Sequence, residues 1–188
     1  MPRNFVKTIA FVTLAFSMYA QAQMQLQQPE LLVMKLRDQQ YPVVELKEGK
    51  REKDLDKAKA GAYRDLTDEE REAKRLVIKN GIVFDRTGSI VEETKNDAVG
   101  HKDKINYVMD PHGNFYLFDE YKFPEIRHSS IFAGKPVAGA GEISIKGGHI
   151  VYIDSDSGHY SSSRLMPYVQ QELQNDGVDL RSVDVEKN

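Results

Sequence analysis

Two polar clusters that each contain a histidine form the part of this sequence best suited to chemistry. They lie on either side of a run of small residues, and they are His128-Ser129-Ser130 and Ser157-Gly158-His159-Tyr160. An imidazole can serve as a general base, and a hydroxyl can serve as a nucleophile or hold a ligand. We therefore expect an active or binding site to lie within residues 126–160.

A catalytic interpretation assigns four residues to an enzyme site. His128 or His159 would be the general base, and Ser130 would be a nucleophile or a substrate-binding hydroxyl. Glu142 would orient an imidazole, with Asp154 as the other candidate for that role. This interpretation requires the groups to converge in one cleft.

The first cluster also has a structural interpretation. We take its backbone to be extended. Neighbouring side chains on a strand point to opposite faces, so His128 is expected to share a face with Ser130 rather than with Ser129. Polar groups buried at a corner between a strand and a loop need hydrogen-bond partners in any case. We favour this structural role for the three residues over a catalytic one.

A binding interpretation adds residues around both clusters to the surface that meets a ligand or a partner. They are Ser129, Gly134, Gly139, Gly141, Ser157, Gly158 and Tyr160. The glycine-rich run 133–142 lacks the Gly-Lys-Ser/Thr sequence of a phosphate-binding loop and the third glycine of a dinucleotide fingerprint. Its small residues are better explained by close backbone packing or by the approach of a ligand.

Metal sites and cofactors are not indicated by the sequence. The run 154–160 alternates aspartate and serine, but a calcium loop needs glycine at its sixth position and glutamate at its twelfth. Here glycine is the fifth residue and leucine the twelfth. The two histidines with Glu142 would be a conceivable zinc site, although their spacing is not diagnostic. We predict no bound metal and no cofactor.

Residues 1–22 have the composition of a secretory signal peptide. Arg3 and Lys7 give a positive start, an apolar run follows, and the small-x-small sequence at 20–22 matches a cleavage site. The apolar run is shorter than the roughly 20 residues that span a bilayer. We therefore expect a periplasmic or secreted protein that is cut after Ala22 and has no membrane contact afterwards.

Charge and cysteine content narrow the classes of function. The formal net charge is −3, there is no cysteine, and cleavage after Ala22 would remove two basic residues. Nucleic-acid binding needs a basic face that neutralises phosphates, so we expect no nucleic-acid partner. The absence of cysteine excludes disulfides, thiol nucleophiles and thiolate metal sites.

Hairpins dominate the rest of the sequence. Asn80-Gly81 between two apolar runs predicts a type I′ turn, and the sequences at 110–113 and 147–148 predict two further hairpins. Thr67 followed by Glu70 is a capping box that starts a helix. Apolar residues at helical spacing predict an amphipathic helix over 164–175.

These elements predict an α+β fold. Hairpins would form an antiparallel sheet, and two or three helices, including the C-terminal amphipathic helix, would pack with it. Residues 41–188 would form a single domain after a leader, 23–40, that contains a short helix over 30–38. The charged stretch 47–64 would be a solvated loop or a surface helix.

The two clusters resemble the signature of a known family. Residues 128–134, 138–142 and 157–160 resemble the HSSFLAG…AAG…SGHY pattern of plant IQ-motif-containing calmodulin-binding proteins. The similarity extends over 41–183 and includes the predicted helix at 69–73 and the Asn-Gly hairpin that follows it. The signature also resembles carboxy-terminal domains of bacterial toxin-like and effector-like proteins.

The resemblance implies one shared domain and supplies no catalytic residue. Calmodulin binding in the plant proteins depends on an IQ segment that precedes this domain, and the present sequence holds no Ile-Gln pair. We therefore expect no calmodulin partner. Two hypotheses remain. The first is an exported effector-like or binding domain for an unidentified protein or small molecule, and the second is a secreted hydrolase or toxin-like transferase acting on a nucleotide or protein.

Overall fold

A computed structural model describes residues 40–96 and 102–186, so the helix predicted over 30–38 lies outside the described residues. The α-helices are α1 (Lys50–Lys59), α2 (Asp68–Glu72) and α3 (Met166–Asn175). The strands are β1 (Val77–Lys79), β2 (Ile82–Phe84), β3 (Ile105–Met109), β4 (Phe115–Phe118), β5 (Gly139–Lys146), β6 (His149–Ile153) and β7 (Asp184–Val185). Short 3₁₀ turns cover His128–Ser130, Ser163–Leu165 and Leu180–Ser182.

The fold is α+β, as the sequence predicts. A five-stranded sheet has the order β4-β3-β5-β6-β7, and a separate two-stranded sheet pairs β1 with β2. The pairs are antiparallel except for the parallel contact between β6 and β7. No helix in the described part of the chain has the length and hydropathy needed to cross a bilayer.

Both faces of the five-stranded sheet are covered. Tyr107 and Met109 of β3 belong to one buried cluster, which also contains Leu173 of α3. Val108 lies between them in sequence and belongs to a second cluster, with Ile126 and residues that follow it. Because side chains of a strand alternate between faces, the segment 126–137 must cover the face opposite α3. This packing brings the first histidine cluster against the sheet.

Several local predictions are confirmed. Thr67 and Glu70 form the reciprocal capping box at the start of α2. Asn80 and Gly81 both have positive φ angles, 52° and 77°, as a type I′ turn requires. The charged stretch after Leu46 contains a helix, α1, which is the second of the two forms that its composition allows.

The prediction that the first cluster is extended is wrong. Residues His128–Ser130 form a 3₁₀ turn that precedes an αR residue, Ile131. With three residues per turn, successive side chains point in three directions rather than alternating between two. The argument that His128 shares a face with Ser130 therefore does not apply.

Candidate functional site

Three of the four predicted catalytic residues line one open pocket of about 270 Å³. They come from separate elements: His128 from the 3₁₀ turn, Glu142 from β5 and His159 from the loop after β6. The other residues that line the pocket are Asn106, Glu120, Tyr121, Arg127, Asp156 and Gly158. Asn106 faces Glu142 directly across β3 and β5, so the sheet register fixes this part of the wall.

His128 is held in one tautomer. Its side chain is 3% exposed, and its Nε2 lies 3.1 Å from the Gly141 carbonyl oxygen. A carbonyl oxygen only accepts, so Nε2 carries the proton and Nδ1 is left as an acceptor. Burial lowers the pKa of His128 to about 4, which makes the imidazole neutral at neutral pH. The edge-to-face contact with Phe118, at 5.2 Å between ring centroids, further fixes the ring.

His159 lies beside a buried carboxylate that the sequence analysis did not single out. Its Nε2 is 3.4 Å from Asp54 Oδ1, and Ser129 Oγ donates to Asp54 Oδ2 at 2.6 Å. Burial lowers the pKa of His159, and the Asp54 carboxylate partly opposes this shift. Asp54 therefore orients the His159 imidazole, a role that the sequence analysis gave to Glu142 or Asp154.

Asp54 could not be recognised from local sequence. It lies within a charged helix, α1, whose other acidic and basic residues face solvent, and it is the one buried residue of that helix. The contact with Ser129 spans 75 positions in the chain and the contact with His159 spans 105. Two aspartates, Asp54 and Asp56, stand on either side of Leu55, and the local sequence does not show which of them is buried.

Asp154 organises the pocket wall from behind. Its Oδ1 accepts hydrogen bonds from the backbone N–H groups of Glu142, at 2.7 Å, and Asp156, at 2.9 Å. Its Oδ2 lies 2.7 Å from the Tyr152 hydroxyl, whose single proton is shared between Asp154 and Glu186 Oε2, at 2.6 Å. One buried carboxylate therefore fixes the backbone of both acidic residues that line this side of the pocket.

Ser130 lies apart from the pocket. Its Oγ accepts a hydrogen bond from the Arg127 backbone N–H at 3.0 Å, so it caps the start of its own 3₁₀ turn. With Ser129 it lines a different, narrow depression beside α1. The structure gives the Ser130 hydroxyl a structural contact, and it does not place that hydroxyl with the two imidazoles.

The predicted binding residues fall into two groups. Gly158 lines the pocket, and Ser157 supports it because its Oγ accepts from the backbone N–H groups of His159 and Tyr160. The others lie in packed surroundings outside the pocket wall: Ser129, Gly134, Gly139, Gly141 and Tyr160. The Tyr160 hydroxyl, for example, donates to the Lys135 carbonyl oxygen at 3.0 Å.

The zinc alternative has no geometric support. Within residues 40–96 and 102–186, no three His, Asp or Glu side chains are grouped so that they could hold a metal ion. His128 and His159 use their Nε2 atoms toward a carbonyl oxygen and a carboxylate. The described pocket therefore presents hydrogen-bonding groups.

Burial of His128 predicts a pH-dependent stability. The unfolded imidazole has a pKa of 6.5 and the folded one about 4, so the unfolded state takes up a proton first as the pH falls. The free energy of unfolding is therefore highest above about pH 6.5 and decreases as the pH falls toward 4. At pH 5 the decrease is roughly 2 kcal/mol. Urea unfolding at pH 7.5 and pH 5 measures the loss.

The control is His128→Asn, which removes the titrating group. This variant should be less stable than the natural protein at pH 7.5, since the shorter asparagine side chain does not bring its amide group to the position of Nε2 beside the Gly141 carbonyl oxygen. It should lose clearly less stability between pH 7.5 and pH 5. An equal loss in both proteins would show that His128 does not titrate in this way.

Comparison with known families gives one match. A model of the IQ motif-containing protein middle domain matches residues 70–165, which include the first histidine cluster, β5 and the second cluster. No curated protein and no solved structure matches the chain significantly. The match confirms the resemblance suggested by the His-Ser-Ser and Gly-His-Tyr sequences.

Proposed function

The chain belongs to the family of the IQ motif-containing protein middle domain, and we propose that it is an exported binding domain for a small polar ligand. The observation that carries this proposal is the convergence of His128, Glu142 and His159 on one open pocket. These residues come from three segments. Two of the residues, His128 and His159, belong to the polar clusters within the matched region. The proposal does not include calmodulin, because the sequence holds no Ile-Gln pair.

The size and chemistry of the pocket support a small ligand. Ligand pockets for drug-sized molecules usually measure about 300–1,000 Å³, and this pocket is about 270 Å³. Its wall is mostly polar, so recognition would depend on hydrogen bonds rather than on apolar burial. A metabolite of a few heavy atoms, or a single side chain of a protein partner, fits these dimensions better than a nucleotide.

Nuclear magnetic resonance tests the proposal directly. The purified protein, labelled with ¹⁵N, is titrated with a set of small water-soluble metabolites at millimolar concentration. We expect the amide signals of Arg127, His128, Glu142, Gly158 and His159 to shift for at least one compound. If no compound in a broad set shifts these signals, the proposed binding function is wrong.

A pocket-filling variant separates specific binding from surface association. Gly158 lines the pocket and a Cβ atom there meets nothing within 4 Å, so we expect Gly158→Leu to be tolerated and to reduce the space for a ligand. This variant should fold normally and lose the ligand response. Ala60→Leu, at an exposed position after α1, adds similar apolar bulk elsewhere and should retain the response.

Export is a separate part of the proposal, supported by the composition of residues 1–22. Expressed in a bacterium with a Sec pathway, the protein should be recovered outside the cytoplasm with Gln23 as its first residue. Intact mass and amino-terminal sequencing measure this. Ala22→Arg should prevent cleavage because the site requires a small residue, and an uncut, cytoplasmic natural chain would contradict export.

An enzyme is the second candidate, and the contact between His159 and Asp54 favours it. A carboxylate that orients an imidazole beside a pocket is the arrangement of a general base. The Ser130 hydroxyl is not a suitable nucleophile, because it lies outside the pocket. A hydrolase or transferase of this kind would instead activate water or an acceptor group of the substrate.

Turnover distinguishes an enzyme from a binding domain. Compounds that shift the pocket signals are incubated with the protein, and their own resonances are followed for a day. New product signals that disappear with Asp54→Asn or His159→Asn, in variants that remain folded, would establish catalysis. Unchanged ligand signals would leave the binding function.

A further inference from the structure

The charged groups in the pocket wall are mainly acidic. Glu120, Glu142 and Asp156 contribute carboxylates, and Arg127 contributes the only positive side chain among the described residues that line the pocket. The two imidazoles do not offset this charge, because burial lowers the pKa of both. The described side chains of the wall therefore include more acidic groups than basic ones.

Arg127 is engaged by neighbouring groups. Its guanidinium lies 4.6 Å from the centroid of the Tyr63 ring, and its Nη1 donates to the Ile126 carbonyl oxygen at 3.1 Å. Arg127 Nη1 lies 3.8 Å from Glu120 Oε2. The positive charge of Arg127 thus offsets the negative charge of Glu120. An anionic ligand would meet a guanidinium group that already has these partners.

Two lysines lie close to the second cluster but do not line the pocket. Lys47 Nζ donates to the Ser157 carbonyl oxygen at 2.7 Å, and Lys50 begins α1 near His159. They reduce the negative potential around His159. A ligand in the pocket would contact the residues of the wall, and neither lysine is one of them.

The hydrogen-bonding groups of the wall also favour a positively charged ligand. His128 donates through Nε2 to Gly141, so it can offer a ligand only the acceptor Nδ1. Tyr121 is 45% exposed and lines the pocket, and an aromatic face attracts cations. Carboxylates, an acceptor nitrogen and an aromatic ring together suit a ligand that donates hydrogen bonds and carries positive charge.

We infer that the ligand of this pocket is an organic cation, a primary ammonium or guanidinium group on a short aliphatic chain. The inference rests on the proposed binding function and specifies its ligand class. A free amine and an arginine or lysine side chain of a peptide share this chemistry. Phosphate-bearing ligands are disfavoured by the same carboxylates, which narrows the enzyme alternative to substrates other than nucleotides.

Three four-carbon probes test the charge preference at constant length. Putrescine is a dication, butane-1,4-diol is neutral and succinate is a dianion. The pocket signals should respond to putrescine with an affinity at least about tenfold higher than to the diol, and succinate should cause no shift. Agmatine and a Gly-Arg-Gly peptide distinguish a free guanidinium compound from a side chain.

Charge-neutralising variants locate the recognition groups. Glu142→Gln should weaken putrescine binding by about tenfold, since this side chain is 5% exposed. Asp156→Asn should weaken it by about threefold, because Asp156 is exposed to solvent. Asp184→Asn, an exposed aspartate in β7, changes the net charge equally and should have no effect. Melting temperatures confirm that each variant is folded.

The outcomes distinguish failure of the cation preference from failure of the binding function. If neutral or anionic compounds bind in the pocket more tightly than the cations, the cation inference is overturned while the binding function stands. If no probe and no other compound shifts the pocket signals, the binding function itself fails. Equal weakening by Asp184→Asn and Glu142→Gln would indicate nonspecific attraction and would also overturn the inference.

Discussion

Gly141→Ala is expected to destabilise the protein by about 3 kcal/mol. A Cβ atom at this position would collide with the Asp154 carbonyl oxygen, which belongs to the backbone. That oxygen accepts the Tyr107 hydroxyl at 2.9 Å, and the Asp154 N–H donates to the Glu142 carbonyl oxygen at 3.0 Å. The backbone cannot move away without breaking these buried hydrogen bonds, so the methyl group has no room.

Gly158→Ala is the matched control. The same change adds one methyl group in the same region, but nothing lies within 4 Å of the added atom. We expect its free energy of unfolding to stay within about 0.5 kcal/mol of the natural value. Urea unfolding measures both variants, and equal stabilities for Gly141→Ala and Gly158→Ala would contradict the close packing of β5 against Asp154.

Asp154→Ala is expected to cost about 4 kcal/mol and to disorder the pocket. The change removes the acceptor of two backbone groups, the N–H of Glu142 and the N–H of Asp156. The Tyr152 hydroxyl keeps its second acceptor, Glu186 Oε2, at 2.6 Å. Asp154 is 2% exposed, so water cannot replace it without rearrangement. Each hydrogen bond to a buried charged group contributes about 1.5–3 kcal/mol, and part of the sum is recovered by relaxation.

Two further substitutions interpret that loss. Asp154→Asn keeps an oxygen for the two N–H donors and should be distinctly less destabilising than alanine. Asp156→Ala, two positions away and exposed, should change stability by less than about 0.5 kcal/mol. Urea unfolding at pH 7.5 provides the values. If Asp154→Ala were as stable as Asp156→Ala, this carboxylate would not hold the pocket wall.

Local signals in the sequence were sufficient for the elements. The capping box at Thr67, the Asn80-Gly81 turn and the alternation around Gly147 each depend on residues within a few positions of one another. The hydrogen bonds that define such elements are equally local, so composition and spacing predict them. The family signature was also a local pattern, and it indicated the correct family.

The composition of the candidate site was only partly accessible. His128, Glu142 and His159 were recognisable as groups capable of chemistry, and the structure places all three on one pocket. Ser130 had an equally suitable side chain, but a 3₁₀ turn directs it to the Arg127 backbone. The sequence could not distinguish the extended form from this turn, because a cluster of three polar residues is too short to show a periodic pattern.

The sequence by itself determined the α+β class, the hairpins and the chemical inventory near the two clusters. Only the tertiary structure decided which groups meet. Asp54 reaches His159 across 105 positions, and Asp154 joins β5 to the loop that holds Asp156. Contacts of this kind depend on how helices and strands pack together, and no short-range pattern of residue types records that packing.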